Sequence, residues 1–194
     1  MLVLASGSPR RHELLSQAGV PFIIRVADVD ETALADESPD AFVRRLAEAK
    51  ARAVSQVLSV EGSTAELAVL GADTIVVEAG EIIGKPRDRA HARVLLGRLS
   101  GRAHQVLTGV CLLDGHEADV RLATTTVTFK TLSDAEITRY LDVANWADKA
   151  GAYAIQEHAA YMVRRIDGSY TNVVGLPLCE TIELLADHGV PCPA

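Results

Sequence analysis

Apolar segments of two different periods alternate along this chain, and that alternation is the feature that most restricts its fold. Short continuous apolar runs read as buried strands. Between them lie longer stretches whose apolar residues recur at helical spacing. Such alternation specifies a layered α/β or mixed α+β fold, with helices flanking a sheet. Met1–Ala5 is the first strand, and it leads through Ser6-Gly7-Ser8 into a helix that Ser8 caps and Pro9 opens. Gly19 and Pro21 stop that helix near Ala18. Pro21–Val29 is a second strand, followed by an acidic loop from Asp28 to Glu37. Ser38-Pro39 repeats the cap-and-proline start, and Phe42, Leu46, Ala49, Ala53 and Val57 form a stripe on a helix reaching about Leu58.

Ala68–Val77 is a strongly apolar strand interrupted by Asp73-Thr74. Ala79-Gly80 turns the chain back through Glu81–Gly84. A helix over Asp88–Leu99 ends at Ser100-Gly101. His104–Leu113 and Glu117–Lys130 flank Asp114-Gly115, a hairpin signal. Ser133 and Glu136 form a capping box opening a helix to about Leu141. Tyr161–Ile166 and Val173-Val174 read as strands, and Pro177–His188 as a final helix.

The chain of 194 residues suits one domain, with room for two lobes, and needs no disulfide or structural metal to hold a core. Its net charge of −7 and its 4% aromatic content argue against a nucleic-acid coat, which needs a broad basic face and stacking platforms. The three cysteines form no CxxC pair, which disfavours a disulfide scaffold or a zinc site. The apolar run at the N-terminus is too short for a signal peptide, and no run approaches the roughly 20 apolar residues of a membrane span. A reducing cytoplasm is the expected compartment.

Four segments carry candidate chemistry. Ser6-Gly7-Ser8-Pro9-Arg10-Arg11 places two arginines in a first helical turn, where positive charge opposes the helix dipole. Either an anion is bound there or the two arginines are solvated. Asp73, inside an apolar strand, costs several kcal/mol to bury unless it is paired or binds metal; its plainer reading is a strand-end cap. Lys85, between Gly84 and Pro86, and Lys50, at the edge of an apolar stripe, are ordinary surface lysines unless a ligand draws on them. Asp148–Gln156 has no clean periodicity and suits a loop lining a site or an irregular connection. No HExxH or GxSxG motif is present.

Eight pieces in this order resemble the Maf family of nucleoside triphosphate pyrophosphatases. They are ASGSPRR (Ala5–Arg11), VDE (Val29–Glu31), EAKA (Glu48–Ala51), GADTIV (Gly71–Val76), GKP (Gly84–Pro86), LSGRAHQVLTGV (Leu99–Val110), DKAGAYAIQ (Asp148–Gln156) and NVVGLP (Asn172–Pro177). The resemblance implies an elongated central mixed sheet, two lobes with a cleft, and a design similar to the inosine triphosphate pyrophosphatases. It further implies a homodimer that splits a nucleoside triphosphate into monophosphate and pyrophosphate with a divalent metal, Mg²⁺ or Mn²⁺. In that reading Asp73, Lys85 and Glu31 are catalytic, and Asp73 and Glu31 hold the metal that helps activate water. Ser6, Arg10, Arg11, Lys50, Thr74 and Gln156 bind substrate.

DKAGAYAIQ looks like the subgroup acting on dTTP and UTP, with Arg10, Thr74 and Gln156 at its specificity positions. Ala154 and Glu157 stand where glycine is typical, which leaves modified or purine nucleotides such as 7-methyl-GTP as an alternative. A regulator of septum formation and a non-catalytic nucleotide sensor are the non-enzymatic readings. No stable nucleic-acid partner and no membrane partner is expected. Lys130 is expected to lie on the surface, away from the chemistry.

Overall fold

A computed structural model describes residues 1–61 and 67–192 of the chain. In chain order the elements are β1 (Leu2–Ala5), α1 (Pro9–Gln17), β2 (Phe22–Arg25), α2 (Pro39–Val60), β3 (Ala68–Glu78), β4 (Glu81–Ile83), α3 (Arg89–Leu99), β5 (Ala103–Asp114), β6 (Glu117–Phe129), α4 (Asp134–Val143), β7 (Val163–Asp167), α5 (Tyr170–Val174) and α6 (Leu178–Asp187). Single 3₁₀ turns occupy Ala150–Ala152 and Ala160–Met162. The strands form one seven-stranded mixed sheet in the order β2-β1-β3-β5-β6-β7, with β4 paired to β3. The fold is therefore mixed α/β. Among the described residues no helix is long and apolar enough to cross a membrane.

The chain divides into two compact units, and β3, β5 and β6 each contribute residues to both. One unit comprises Met1–Thr74, Thr108–Ala123 and Gly175–Ala194. In it β1 lies parallel to β2 on one side and to β3 on the other, with Leu4 opposite Leu70 and Ala5 opposite Gly71. Helix α2 covers this sheet. Its buried face is Phe42, Val43, Leu46, Ala47, Ala51, Val54 and Leu58. The expected stripe was therefore rotated: Phe42 and Leu46 are buried, but Ala49 and Ala53 lie on its flank and Val57 is 41% exposed.

The reason is close packing against two glycines. A Cβ on Gly109 would lie 2.5 Å from the Val43 carbonyl oxygen, and one on Gly71 would collide with the Ala47 carbonyl oxygen and the Ala51 amide. Small residues at 47 and 51 and bare backbone at 71 and 109 let helix and sheet meet almost backbone to backbone. Val3, Val54, Val69, Cys111 and Leu113 fill the surrounding core.

The other unit comprises Ile75–Leu107 and Thr124–Val174. Helices α3 and α4 pack together there, with Leu95, Leu96, Ile137 and Leu141 buried. The capping box at the start of α4 is present: Ser133 Oγ accepts from the Glu136 amide at 3.3 Å, and Glu136 accepts from the Ser133 amide at 2.9 Å. Lys130 is half-buried, pairs with Glu136 and stacks on the Tyr161 ring. It is a structural residue and not the idle surface lysine expected.

Two strand expectations also change. Val173 and Val174 are helical, because Ser169 caps α5: its hydroxyl accepts from the Asn172 amide at 3.2 Å. Those local bonds override the strand preference of two valines. The segment from Tyr161 begins as a 3₁₀ turn and becomes strand only at Val163.

Candidate active site

Strand β1 ends at Ala5, and the next three residues turn the backbone into α1. Ser8 adopts an extended N-cap conformation but makes no side-chain cap; its amide donates to Ser6 Oγ at 3.2 Å. The Ser6 carbonyl accepts from His12 Nε2 at 2.7 Å, which fixes that ring nitrogen as the protonated one. Ser6 is thereby held on both its hydroxyl and its carbonyl.

Arg11 uses its donor fork on three segments at once. Nε donates to the Gly175 carbonyl at 2.8 Å, one terminal nitrogen to Ser6 Oγ at 3.2 Å, and the other to Thr74 Oγ1 at 3.0 Å. Burial lowers the Arg11 pKa. Asp73 and Glu31 oppose that shift, whereas Arg10 reinforces it. A guanidinium remains a cation at neutral pH regardless. Thr74 also donates to the Gly175 carbonyl at 3.2 Å and lies 3.0 Å from the Thr108 hydroxyl. Gly175 has φ +131°, a conformation only glycine adopts without strain. Arg10, beside this network, is half-buried and makes no side-chain hydrogen bond or ion pair among the described residues.

One residue before Thr74, the buried Asp73 meets α2. Lys50 Nζ lies 2.7 Å from Asp73 Oδ1 and 2.6 Å from Glu31 Oε1. The close approach at Gly71 causes this meeting. It brings α2 onto β3 at Ala47 and Ala51, and Lys50 and Asp73 follow within a few residues. Asp73 is thus not a strand-end cap but a mid-strand carboxylate, 8% exposed, with an ammonium partner. Glu31 lies in the exposed loop between β2 and α2, which reaches back to complete a carboxylate–ammonium–carboxylate chain.

Lys85 and Gln156 belong to the other unit, and both are exposed. The Gly84 carbonyl accepts from the Gly151 amide at 3.1 Å, which ties the Lys85 turn to the segment carrying Gln156. Glu157 Oε1 lies 3.6 Å from Lys149 Nζ.

A family model described as "Maf-like protein" matches residues 1–188. The chain belongs to the Maf family. Among curated relatives, the dTTP/UTP pyrophosphatase of Symbiobacterium thermophilum is 53% identical over 190 residues, covering 98% of this chain and 95% of its own. That of Geobacter sulfurreducens is 51% identical, covering 97% and 96%. That of Hahella chejuensis is 48% identical, covering 97% and 92%. A solved structure, the Staphylococcus aureus Ham1 protein, aligns with a TM-score of 0.42 at 16% identity, covering 66% of this chain and 71% of its own.

Within this Maf family member, the first unit brings together Ser6, Arg11, Thr74, Asp73, Lys50 and Glu31 through contacts of 3.2 Å or less. Sequence reasoning missed His12, Thr108 and Gly175, which hold that network in place. Thr108 and Gly175 lie inside two of the recognised pieces, but nothing in their spacing marks a hydrogen bond. His12 carries no signal beyond following Arg11.

Proposed function

We propose that this chain hydrolyses nucleoside triphosphates, dTTP and UTP foremost, to the nucleoside monophosphate and pyrophosphate. The observation that carries the reading is the near full-length similarity to relatives bearing the name dTTP/UTP pyrophosphatase. The Asp73–Lys50–Glu31 chain supplies groups suited to that reaction.

In the proposed reaction a water oxygen attacks the α-phosphorus while the bond to the bridging oxygen of the β-phosphate breaks. The water proton passes to an Asp73 oxygen, and pyrophosphate leaves. Lys50 holds Asp73 in place and balances its charge. Arg10 and Lys85 are the cations left to meet phosphate oxygens, because Arg11 and Lys50 already have partners in the protein. Arg11 instead fixes Ser6 and Thr74 around the substrate. Gln156 reads the base: its carboxamide offers one donor and one acceptor, matching N3–H and a carbonyl of uracil or thymine.

The donor set fits a hard divalent cation. Asp73 and Glu31 are two carboxylates that each approach the same ammonium, Lys50 Nζ, and Mg²⁺ is commonly held by one or two carboxylates plus substrate phosphates. Among the described residues no group of three or more His, Cys, Asp or Glu could hold a metal, so the remaining ligands would come from substrate and water. A cation held there would supply positive charge against the phosphate oxygens.

The test is a panel of natural and modified triphosphates, including 7-methyl-GTP, with Mg²⁺ or Mn²⁺. Monophosphate and pyrophosphate are both quantified. Asp73→Asn is expected to lower turnover at least about a thousandfold with an unchanged circular-dichroism spectrum. Lys85→Ala is expected to lose more activity than Arg139→Ala, an exposed control on α4. Near-wild-type pyrophosphate release by Asp73→Asn sinks the mechanism. A ranking not led by dTTP and UTP sinks the substrate assignment.

A further inference from the structure

Gln156 is exposed, yet the segment leading to it is anchored from beneath. Lys149, 4% exposed, donates to the Asn145 carbonyl at 2.5 Å and pairs with Asp148 at 2.9 Å. Gly151 and Ala152 both have positive φ, 68° and 62°. Alanine resists that conformation, so the surroundings must impose it. They do so through three bonds: the Gly151 amide to the Gly84 carbonyl, the Ala152 amide to the Lys149 carbonyl, and the Tyr140 hydroxyl to the Ala152 carbonyl at 3.1 Å.

The last anchor before Gln156 is Tyr153. Its hydroxyl lies 2.8 Å from His104 Nε2 on β5. Both side chains are buried, and both rings pack edge-on against Phe129, at centroid distances of 4.9 and 5.0 Å. Burial pushes the His104 pKa down to about 4, so the pair is a neutral hydrogen bond near pH 7. Ala154 and Ile155 are also buried, and the Glu157 amide closes a turn onto the Ala154 carbonyl at 3.1 Å. Only these two buried residues separate Tyr153 from Gln156.

We propose that the buried His104–Tyr153 hydrogen bond positions Gln156, and so sets discrimination between uracil and cytosine nucleotides. The inference rests on the reading of Gln156 as the base-contacting residue. A carboxamide free to turn over pairs equally well with the N3–H and carbonyl of uracil or with the ring nitrogen and amino group of cytosine. Only a carboxamide held one way up tells them apart. His104 and Tyr153 need not touch substrate; they are positioning residues whose hydroxyl-to-imidazole bond restricts the backbone beneath Gln156.

The readout is the ratio of kcat/KM for UTP to that for CTP, because general loss of folded protein lowers both alike and leaves the ratio unmoved. Tyr153→Phe deletes one oxygen and is expected to lower the ratio about tenfold. His104→Leu is expected to do the same, and His104→Gln, whose carboxamide can either donate or accept, to retain more of the ratio. In a Gln156→Ala background Tyr153→Phe is expected to cause no further loss, since coupled residues are not additive. If Gln156→Ala lowers the ratio but Tyr153→Phe does not, the positioning role falls and the base-contact reading stands. If Gln156→Ala leaves the ratio unchanged, the base-contact reading falls and takes this inference with it. If Tyr153→Phe is equally costly with and without Gln156, the hydrogen bond acts elsewhere and the inference is overturned.

Discussion

At the scale of single residues, the site is a set of charges already matched inside the protein. Lys50 is the centre of that matching, with Asp73 at 2.7 Å and Glu31 at 2.6 Å. Removing it leaves a buried carboxylate facing a second one. Lys50→Met is therefore expected to cost about 2 kcal/mol of stability, read as a lower urea midpoint, in addition to lost turnover. Lys50→Met combined with Asp73→Asn should recover most of that stability, because no uncompensated buried charge remains. His104 makes a different prediction, about pH. Burial holds its folded pKa near 4, below the unfolded value of about 6.5. The unfolded chain thus binds a proton that the folded chain refuses. The stability contributed is full above pH 6.5 and is lost as pH falls toward 4, on the order of 3 kcal/mol at the limit. His104→Gln is expected to show a shallower fall in thermal midpoint over that window than the wild type.

At the scale of elements, the decisive contact is α2 on β3 and β5. Gly71 and Gly109 leave no room for a Cβ beneath the Ala47 and Val43 carbonyls. Gly71→Ala is expected to destabilise by about 2–4 kcal/mol, because backbone rather than a flexible side chain must move. The same displacement should separate Lys50 from Asp73, so turnover of the folded fraction should fall too. Denaturant unfolding checks the first expectation, and activity normalised to folded protein checks the second. The element types were legible in the sequence where local signals agreed: Ser38-Pro39 opening α2, Asp114-Gly115 beside the β5–β6 turn, and the Ser133–Glu136 box opening α4. They misled where tertiary contacts outweighed local pattern. The buried face of α2 was set by two distant glycines, and Val173-Val174 became helix once Ser169 capped it.

At the scale of the whole molecule, a chain of net charge −7 carries a cluster in which acid and base are closely balanced. Because Lys50 already offsets part of the charge of Asp73 and Glu31, the fold is expected to hold without a bound cation. Chelation is therefore expected to abolish pyrophosphate release yet leave the thermal midpoint of the substrate-free protein unchanged, with activity returning on addition of Mg²⁺ or Mn²⁺. A midpoint that drops with chelation would mean that a cation is structural.

Sequence alone determined the family and most of the element types, and it nominated the charged candidates, because motifs, caps and apolar periods are local properties that survive without coordinates. Tertiary structure decided how those residues meet. It alone joined Lys50 to Asp73 and Glu31, turned Arg11 inward onto Ser6, Thr74 and Gly175, and tied the Gln156 segment to His104 and Gly84. Those pairings span separations of up to 164 residues, and no local energy term reports on contacts that exist only after the sheet has assembled.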